Sequence, residues 1–293
     1  MGTLVRAIAQ RGGAVCYAID STDLVHEAEQ IHQTSAVVTA ALGRLMTAAS
    51  MMGAMLKGEE DSITLRITAD GAIGSVLAVS DAQGNTKGYV TNPVVELPLK
   101  PNGKLDVSGA LGEQGMLYVI RDSGAGQPYV GLVPLVSGEI AEDITHYFAT
   151  SEQTATVCAL GVLVNPDLTV QAAGGYLLQL LPGAAEEDIA AIEASVQAMP
   201  PVTTLLAQGV TAQDIALRAL EGLEPELLDS RTVEFRCNCD RARVERALIS
   251  LGAGELEAMA REDGKAEVSC HFCHKQYQFT KSEILALAGQ NDG

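Results

Sequence analysis

Two close pairs of cysteines stand near the C-terminus, Cys237-Asn-Cys239 and Cys270-His-Phe-Cys273, with thirty residues between them. Four thiolates in two pairs supply the tetrahedral ligand set that suits Zn2+, with Zn–S bonds of about 2.3 Å. The Cys270/Cys273 spacing is that of a zinc knuckle. Cys237/Cys239 is tighter than usual, and the insert is longer than in a common zinc ribbon. That insert has room for two short helices. Asp240 is placed to cap the first, whose Val244, Ala247, Leu248 and Leu251 form an apolar face, and residues 255–261 form the second. A closed four-cysteine site leaves no coordination position for water, so it is structural rather than hydrolytic. About sixty residues bury too little surface for comfortable independent stability, and a metal is the usual remedy. Loss of the metal would then unfold the segment.

The spacing alone leaves three readings open: a static zinc clip, a redox-sensing zinc–thiol switch, and coincidence. A disulfide closed over a single residue sits near the long edge of the permitted Cα separation, which makes it strained and labile. His271 and His274 could replace a thiol, but with four cysteines available they read as exposed neighbours.

The rest of the composition narrows the setting. Nineteen Lys and Arg against 37 Asp and Glu give a net charge of −18, which disfavours a nucleic-acid-coating role and attraction to an acidic membrane. No run reaches the ~18 apolar residues that spanning requires; the longest, 46–56, is short and broken by Thr, Ser and Gly. No signal peptide is evident, so the expectation is a cytoplasmic protein whose cysteines are thiols or metal ligands.

The expected architecture is α+β in three parts: an N-terminal mixed helix and antiparallel-sheet domain over 1–180, a helical linker over 181–231, and a small C-terminal four-cysteine zinc-binding domain over 232–293. In the first part, helical spacing covers 21–55, strands are expected at 62–68, 75–80, 87–91, 116–121 and 129–134, a helix at 139–149, and a β-rich run at 154–164. The middle part has 2 basic and 9 acidic residues, a net −7, and no aromatic. Ile189, Ile192, Val196 and Met199 share one face of a helix over 186–199, which Pro200-Pro201 ends. Ile215, Ala216, Ala219, Leu220 and Leu223 form the stripe of a second, over 211–223. Such short helices need a surface to lie on, and the self-repelling charge makes their ordered state marginal.

Weaker candidates are solitary or incomplete. Cys16 and Cys158 sit in apolar surroundings and read as buried and unreactive. Glu142 and His146 lie four apart on a helix, the pattern of a surface pair. Asp23, His26 and His32 have no nucleophile in a recognisable frame. The Gly71–Gly74 and Gly124–Gly126 glycines do not make a phosphate-cradling loop. The residues therefore give no catalytic constellation, and the expectation is a protein that is not an enzyme.

The Cys237-x-Cys239…Cys270-x-x-Cys273 arrangement resembles that of the 33-kilodalton heat-shock protein family, the redox-regulated holdase chaperones. The stretches Gly84-Asn-Thr-Lys-Gly-Tyr-Val, Tyr147-Phe-Ala-Thr-Ser-Glu-Gln and Pro128-Tyr-Val-Gly-Leu-Val-Pro-Leu-Val-Ser-Gly-Glu-Ile-Ala-Glu-Asp are similar to its N-terminal domain. Cys239-Asp-Arg-Ala-Arg-Val-Glu-Arg-Ala-Leu and Cys270-His-Phe-Cys-His-Lys-Gln-Tyr are similar to its zinc domain. The resemblance implies one Zn2+ per chain, held in the reduced, inactive form by Cys237, Cys239, Cys270 and Cys273. It implies oxidation to Cys237–Cys239 and Cys270–Cys273 disulfides, release of zinc, unfolding of the linker, and an active homodimer that binds unfolding client proteins without ATP. It does not say which residues touch clients. Two other classes stay in view: a zinc-ribbon nucleic-acid-binding module on Arg236, Arg241, Arg243 and Arg246, and a thiol-disulfide oxidoreductase using Cys270 and Cys273.

Overall fold

A computed structural model of the chain describes residues 1–10, 13–112 and 114–290. It divides into two units, Met1–Arg236 and Cys237–Gly293. The first opens with an antiparallel pair, β1 (Gly2–Ala9) and β2 (Ala14–Asp20), then helices α1 (Thr22–His32) and α2 (Ala36–Gly53). Strands β3 (Ser62–Ala69), β4 (Ser75–Asp81) and β5 (Thr86–Val90) follow, then a short helix α3 (Val107–Leu111) and strands β6 (Gly115–Asp122) and β7 (Tyr129–Pro134). Helix α4 (Ala141–Tyr147) runs into a π-type turn at Phe148–Glu152, before β8 (Thr156–Val164) and β9 (Val170–Leu180). Helices α5 (Glu186–Ala198), α6 (Val202–Ala207) and α7 (Ala212–Ala219) lead to β10 (Pro225–Val233). The α+β expectation holds: the strands form two five-stranded antiparallel sheets, ordered β10-β1-β2-β9-β8 and β5-β4-β3-β6-β7.

Helix α2 lies between the sheets, touching β3, β4 and β5 of one and β2, β8 and β9 of the other. A helix packed on all sides must be apolar all round. Although no unbroken apolar run exists there, Ala36–Gly53 reaches a mean hydropathy of 1.3, enough by length and composition to cross a membrane. Burial of 89% of that helix inside the protein explains its character. Small residues permit the close approach. A Cβ at Gly53 would stand 2.3 Å from Ser80 Oγ and 2.5 Å from the Asp81 carbonyl oxygen. In the sheet β5-β4-β3-β6-β7 the inward residues alternate as the sequence suggested, with Ile63, Leu65 and Ile67 of β3 all buried.

The other face of the β10-β1-β2-β9-β8 sheet carries the middle helices. Helix α7 rests on β1 and β2, and α6 on β8 and β9. Ile192, Val202, Leu205, Ile215, Ala216 and Leu220 meet Val5, Ala7, Cys16, Tyr176 and Leu178 of the sheet in one core. Both expected apolar stripes face inward, with Ile192 and the whole α7 stripe fully buried. Three details differ from the sequence reading. Pro201 ends the break after α5 but also starts α6, because a proline costs nothing at a helix N-terminus. Helix α7 stops at Ala219, while Leu220 and Leu223 stay buried beyond it. The end of the segment read as helical is a strand, β10, paired along β1 and fastened by an Arg6–Asp229 ion pair of 2.7 Å. From β10 the chain crosses to the other sheet, where Phe235 bridges Thr86 and the Arg236 amide donates to the Thr86 carbonyl at 2.8 Å.

The second unit has helices α8 (Arg241–Ile249) and α9 (Ala253–Glu262), a hairpin of β11 (Lys265–Ser269) and β12 (Gln276–Thr280), and a final helix α10 (Lys281–Ala288). Its core is built from Leu248, Leu256, Ala260, Phe279, Ile284 and Leu287, with Tyr277 and Val244 against it. Both helices of the insert are where the spacing put them. The expected apolar face of the first is only partly used: Val244 and Leu248 face inward, whereas Ala247 is exposed and Leu251 is 53% exposed. Helix α8 ends at Ile249, so Leu251 lies beyond it and off the face.

Candidate metal centre

Each cysteine is placed by a short local device. Asp240 begins α8 by accepting the Arg243 amide at 2.7 Å, which ends the extended Cys237–Cys239 segment. Cys270 and Cys273 lie in the turn between β11 and β12. There the Cys270 amide donates to the Lys275 carbonyl at 3.0 Å, and the His274 amide to the Cys270 carbonyl at 2.9 Å. His274 takes a left-handed conformation, φ 56°, that closes the turn. The second cysteine pair thus sits in the turn of a hairpin. It is an antiparallel turn rather than the βαβ setting of a thiol-disulfide oxidoreductase.

The result is a cluster. The four sulfurs all lie within 4.8 Å of one another and are half-buried. Cys237 and Cys270 are 3.7 Å apart, Cys239 and Cys273 3.4 Å. No pair is bonded; all six cysteines are free thiols. A tetrahedron of 2.3 Å bonds has sulfur–sulfur edges of about 3.8 Å, so the spacing fits a single ion held by four thiolates. Among the described residues this is the one group of three or more metal-ligating side chains with its ligand atoms together.

The cluster is also polarised. Burial alone would raise the Cys239 thiol, but a hydrogen bond from Tyr277 Oη at 3.2 Å and those from the neighbouring thiols bring it down to about 7. Burial pushes Cys237 up to about 12, against a hydrogen bond from the Cys239 amide. Burial likewise raises Cys273, against one from the Lys275 amide. The Tyr277 hydroxyl is itself pushed up by its bond to Cys239.

The remaining candidates do not gather. Burial drives the Cys16 thiol far up and Cys158 to about 12, so neither offers a thiolate at neutral pH. Cys16 is fully buried as expected, whereas Cys158 is half-buried on β8. Asp23 pairs with the amino group of Met1, and the buried His32 ring meets the Gly88 carbonyl at 2.9 Å. Glu142 is exposed and His146 half-exposed on α4. His271 and His274 are exposed neighbours of the cluster. Of the basic group, Arg236 pairs with Glu234 at 2.7 Å, and Arg241 pairs with Glu245 and Glu283 while lying over the Phe279 ring. Those acids cancel much of the charge that a nucleic-acid surface needs. Spacing alone does not point to Tyr277, which reaches Cys239 from the returning strand of the hairpin.

Comparison with known proteins agrees along the whole chain. The family model described as Hsp33 protein matches residues 2–280. A 33 kDa chaperonin of Bacillus licheniformis is 47% identical over 287 residues, covering 98% of this chain and 99% of its own. That of Clostridioides difficile is 46% identical over 284 residues, covering 97% of each. The crystal structure of the 33 kDa chaperonin (heat shock protein 33 homolog) of Thermotoga maritima superposes with a TM-score of 0.88 at 35% identity, covering 98% of both chains.

Proposed function

The chain belongs to the Hsp33 chaperone family, and on that premise we propose that it is a non-enzymatic, cytoplasmic holdase whose activity is switched on by oxidation. In the reduced form Cys237, Cys239, Cys270 and Cys273 hold one Zn2+. Bound there, the ion keeps the four sulfurs as thiolates and cross-links the C-terminal unit. Oxidant then joins Cys237 to Cys239 and Cys270 to Cys273. In each pair one thiolate attacks hydrogen peroxide, giving a sulfenic acid and hydroxide. Its neighbour attacks that sulfur, forming the disulfide and releasing a second hydroxide. Two protons from solvent turn the hydroxides into water. Two electrons leave each pair, and four ligands are lost.

The observation that carries this reading is the cluster of four unbonded sulfurs within 4.8 Å. Support also comes from the middle helices, whose apolar residues share one core with the sheet beneath them. Once the C-terminal unit unfolds, the acidic 181–231 segment loosens and that surface opens to unfolding client proteins. The oxidised form acts as a homodimer, without nucleic acid or membrane.

Light scattering from a heat-unfolding client tests it. The reduced, zinc-loaded protein should leave aggregation unchanged. The form treated with peroxide and mild heat should suppress it, and a thiol reductant should restore the first result. Equal suppression by both forms would leave a chaperone with a merely structural metal. Cys237→Ser with Cys239→Ser should abolish the switch, so wild-type switching in that variant would sink the mechanism.

A further inference from the structure

Among the described residues, sulfurs of the cluster accept hydrogen bonds from donors outside the set of thiols, and the donors are not alike. Cys237 receives the amide of Cys239, and Cys273 the amide of Lys275. Those donors are main chain, fixed by the local fold and beyond the reach of substitution. Cys239 instead receives the hydroxyl of Tyr277 at 3.2 Å. The hydroxyl comes from β12, where Tyr277 pairs across the hairpin with Val268. Its ring is 6% exposed and packs in the core of the C-terminal unit with Phe279 and Ile284. A ring held that firmly leaves its hydroxyl little choice of direction.

We propose that Tyr277 is a positioning residue for the metal centre, holding the Cys239 thiolate in ligating orientation and taking up part of its charge. A thiolate has lone pairs and no proton, so with a metal bound the hydroxyl must be the donor. Four thiolates around one divalent cation leave a net charge of −2 in a half-buried site, where each donor to sulfur counts for more than in water. A hydrogen-bond donor to a metal ligand orients that ligand and tunes how strongly it binds, and its loss commonly lowers metal affinity 10–100-fold. The arrangement also ties the two ends of the unit together. Cys239 precedes α8 and Tyr277 follows the second cysteine pair, so the hydroxyl clamps the N-terminal ligand segment to the C-terminal hairpin independently of the metal.

This inference rests on the reading of the cluster as a zinc site. The test uses Tyr277→Phe in the full chain, which keeps the ring and its packing and removes one oxygen. Two measurements apply: competition for Zn2+ against a chromophoric chelator, and the absorption of the protein loaded with Co2+ in place of zinc. Affinity for Zn2+ should fall about tenfold. The sulfur-to-cobalt charge-transfer band should move to longer wavelength, because a thiolate without its donor gives up an electron more readily. A variant that only loosened packing would not shift that band. An unchanged zinc affinity or an unchanged band position in Tyr277→Phe overturns the proposal. Failure of the unsubstituted protein to bind either ion would instead overturn the zinc reading itself, so the two failures are distinguishable.

Discussion

The sulfur of Cys239 lies 3.4 Å from that of Cys273, although 34 positions separate them in the chain. Bringing such distant residues together costs chain entropy that grows with the loop between them. The core beneath them is small, built around Leu248, Leu256, Phe279 and Ile284. Such a unit gains only a few kcal/mol from its core, whereas structural zinc contributes about 10–16 kcal/mol in small peptides.

Removing the metal with a strong chelator under reducing conditions should therefore unfold the C-terminal unit, loosen the 181–231 segment and spare the rest of the first unit. Hydrogen exchange would find fast amides in α8, α9 and α10 and retained protection in α2 and β3. Retained protection throughout α8–α10 after complete zinc removal would mean that the core suffices without metal.

Docking of the middle helices should be separable from the thiol chemistry. Ile215 of α7 is fully buried against the sheet, and Ile215→Ala should cost about 2–5 kcal/mol of local stability. If those helices cover the client-binding surface, the reduced variant should already suppress client aggregation in part. Scattering identical to that of the reduced parent protein would separate helix docking from activity.

Acid should weaken the first unit through Glu139. Burial alone would raise this carboxyl, but ion pairs with Lys100 and with Arg44 at 2.6 Å bring it from 4.5 to about 2. A carboxyl depressed on folding stabilises fully above its unfolded value, so the contribution is lost as pH falls from about 4.5 to about 2. With solvent screening of the partly exposed pair, it amounts to about 1–2 kcal/mol at neutral pH. Glu139→Gln should lower the neutral-pH Tm and flatten the acid limb of a Tm–pH profile. An unaltered limb would rule the residue out.

Gly53→Ala sets two effects against each other. Alanine gains about 1 kcal/mol in helix propensity, but the new methyl would stand 2.5 Å from the Asp81 carbonyl oxygen, which cannot move without shifting β4. Overpacking of this kind costs about 1–3 kcal/mol. The net effect should be a lower Tm, by chemical or thermal unfolding; a stabilised variant would show that β4 yields easily.

What the sequence disclosed followed from how each element is buried. Strands β3 to β7 have one covered face and alternate visibly, as Ile63, Leu65 and Ile67 do. Strand β9 does not, because α2 packs on one side and α6 on the other, so Ala172, Ala173, Tyr176, Leu177 and Leu178 are all buried. Strands β1 and β2 share that two-sided burial, and their alanines carry little strand preference. Strand β10 was hidden for the opposite reason. It lies at a sheet edge, half polar, and only its pairing with β1 makes it a strand. The four cysteines were legible because ligand chemistry fixes spacing. Tyr277 was not, because its role depends on a cross-strand register that spacing alone does not reveal.

The pairing of Gly2 with Val233 bears on how the protein is made. Strand β1 leaves the ribosome well before its outer neighbour, which is among the last parts of the first unit to be synthesised. At about 5–20 residues per second, β1 waits roughly 10–45 seconds for β10. Throughout that interval one edge of β1 has unpaired backbone groups, the kind of edge that recruits other strands. The nascent chain of this member of the Hsp33 chaperone family therefore passes through a stage in which it is itself open to aggregation.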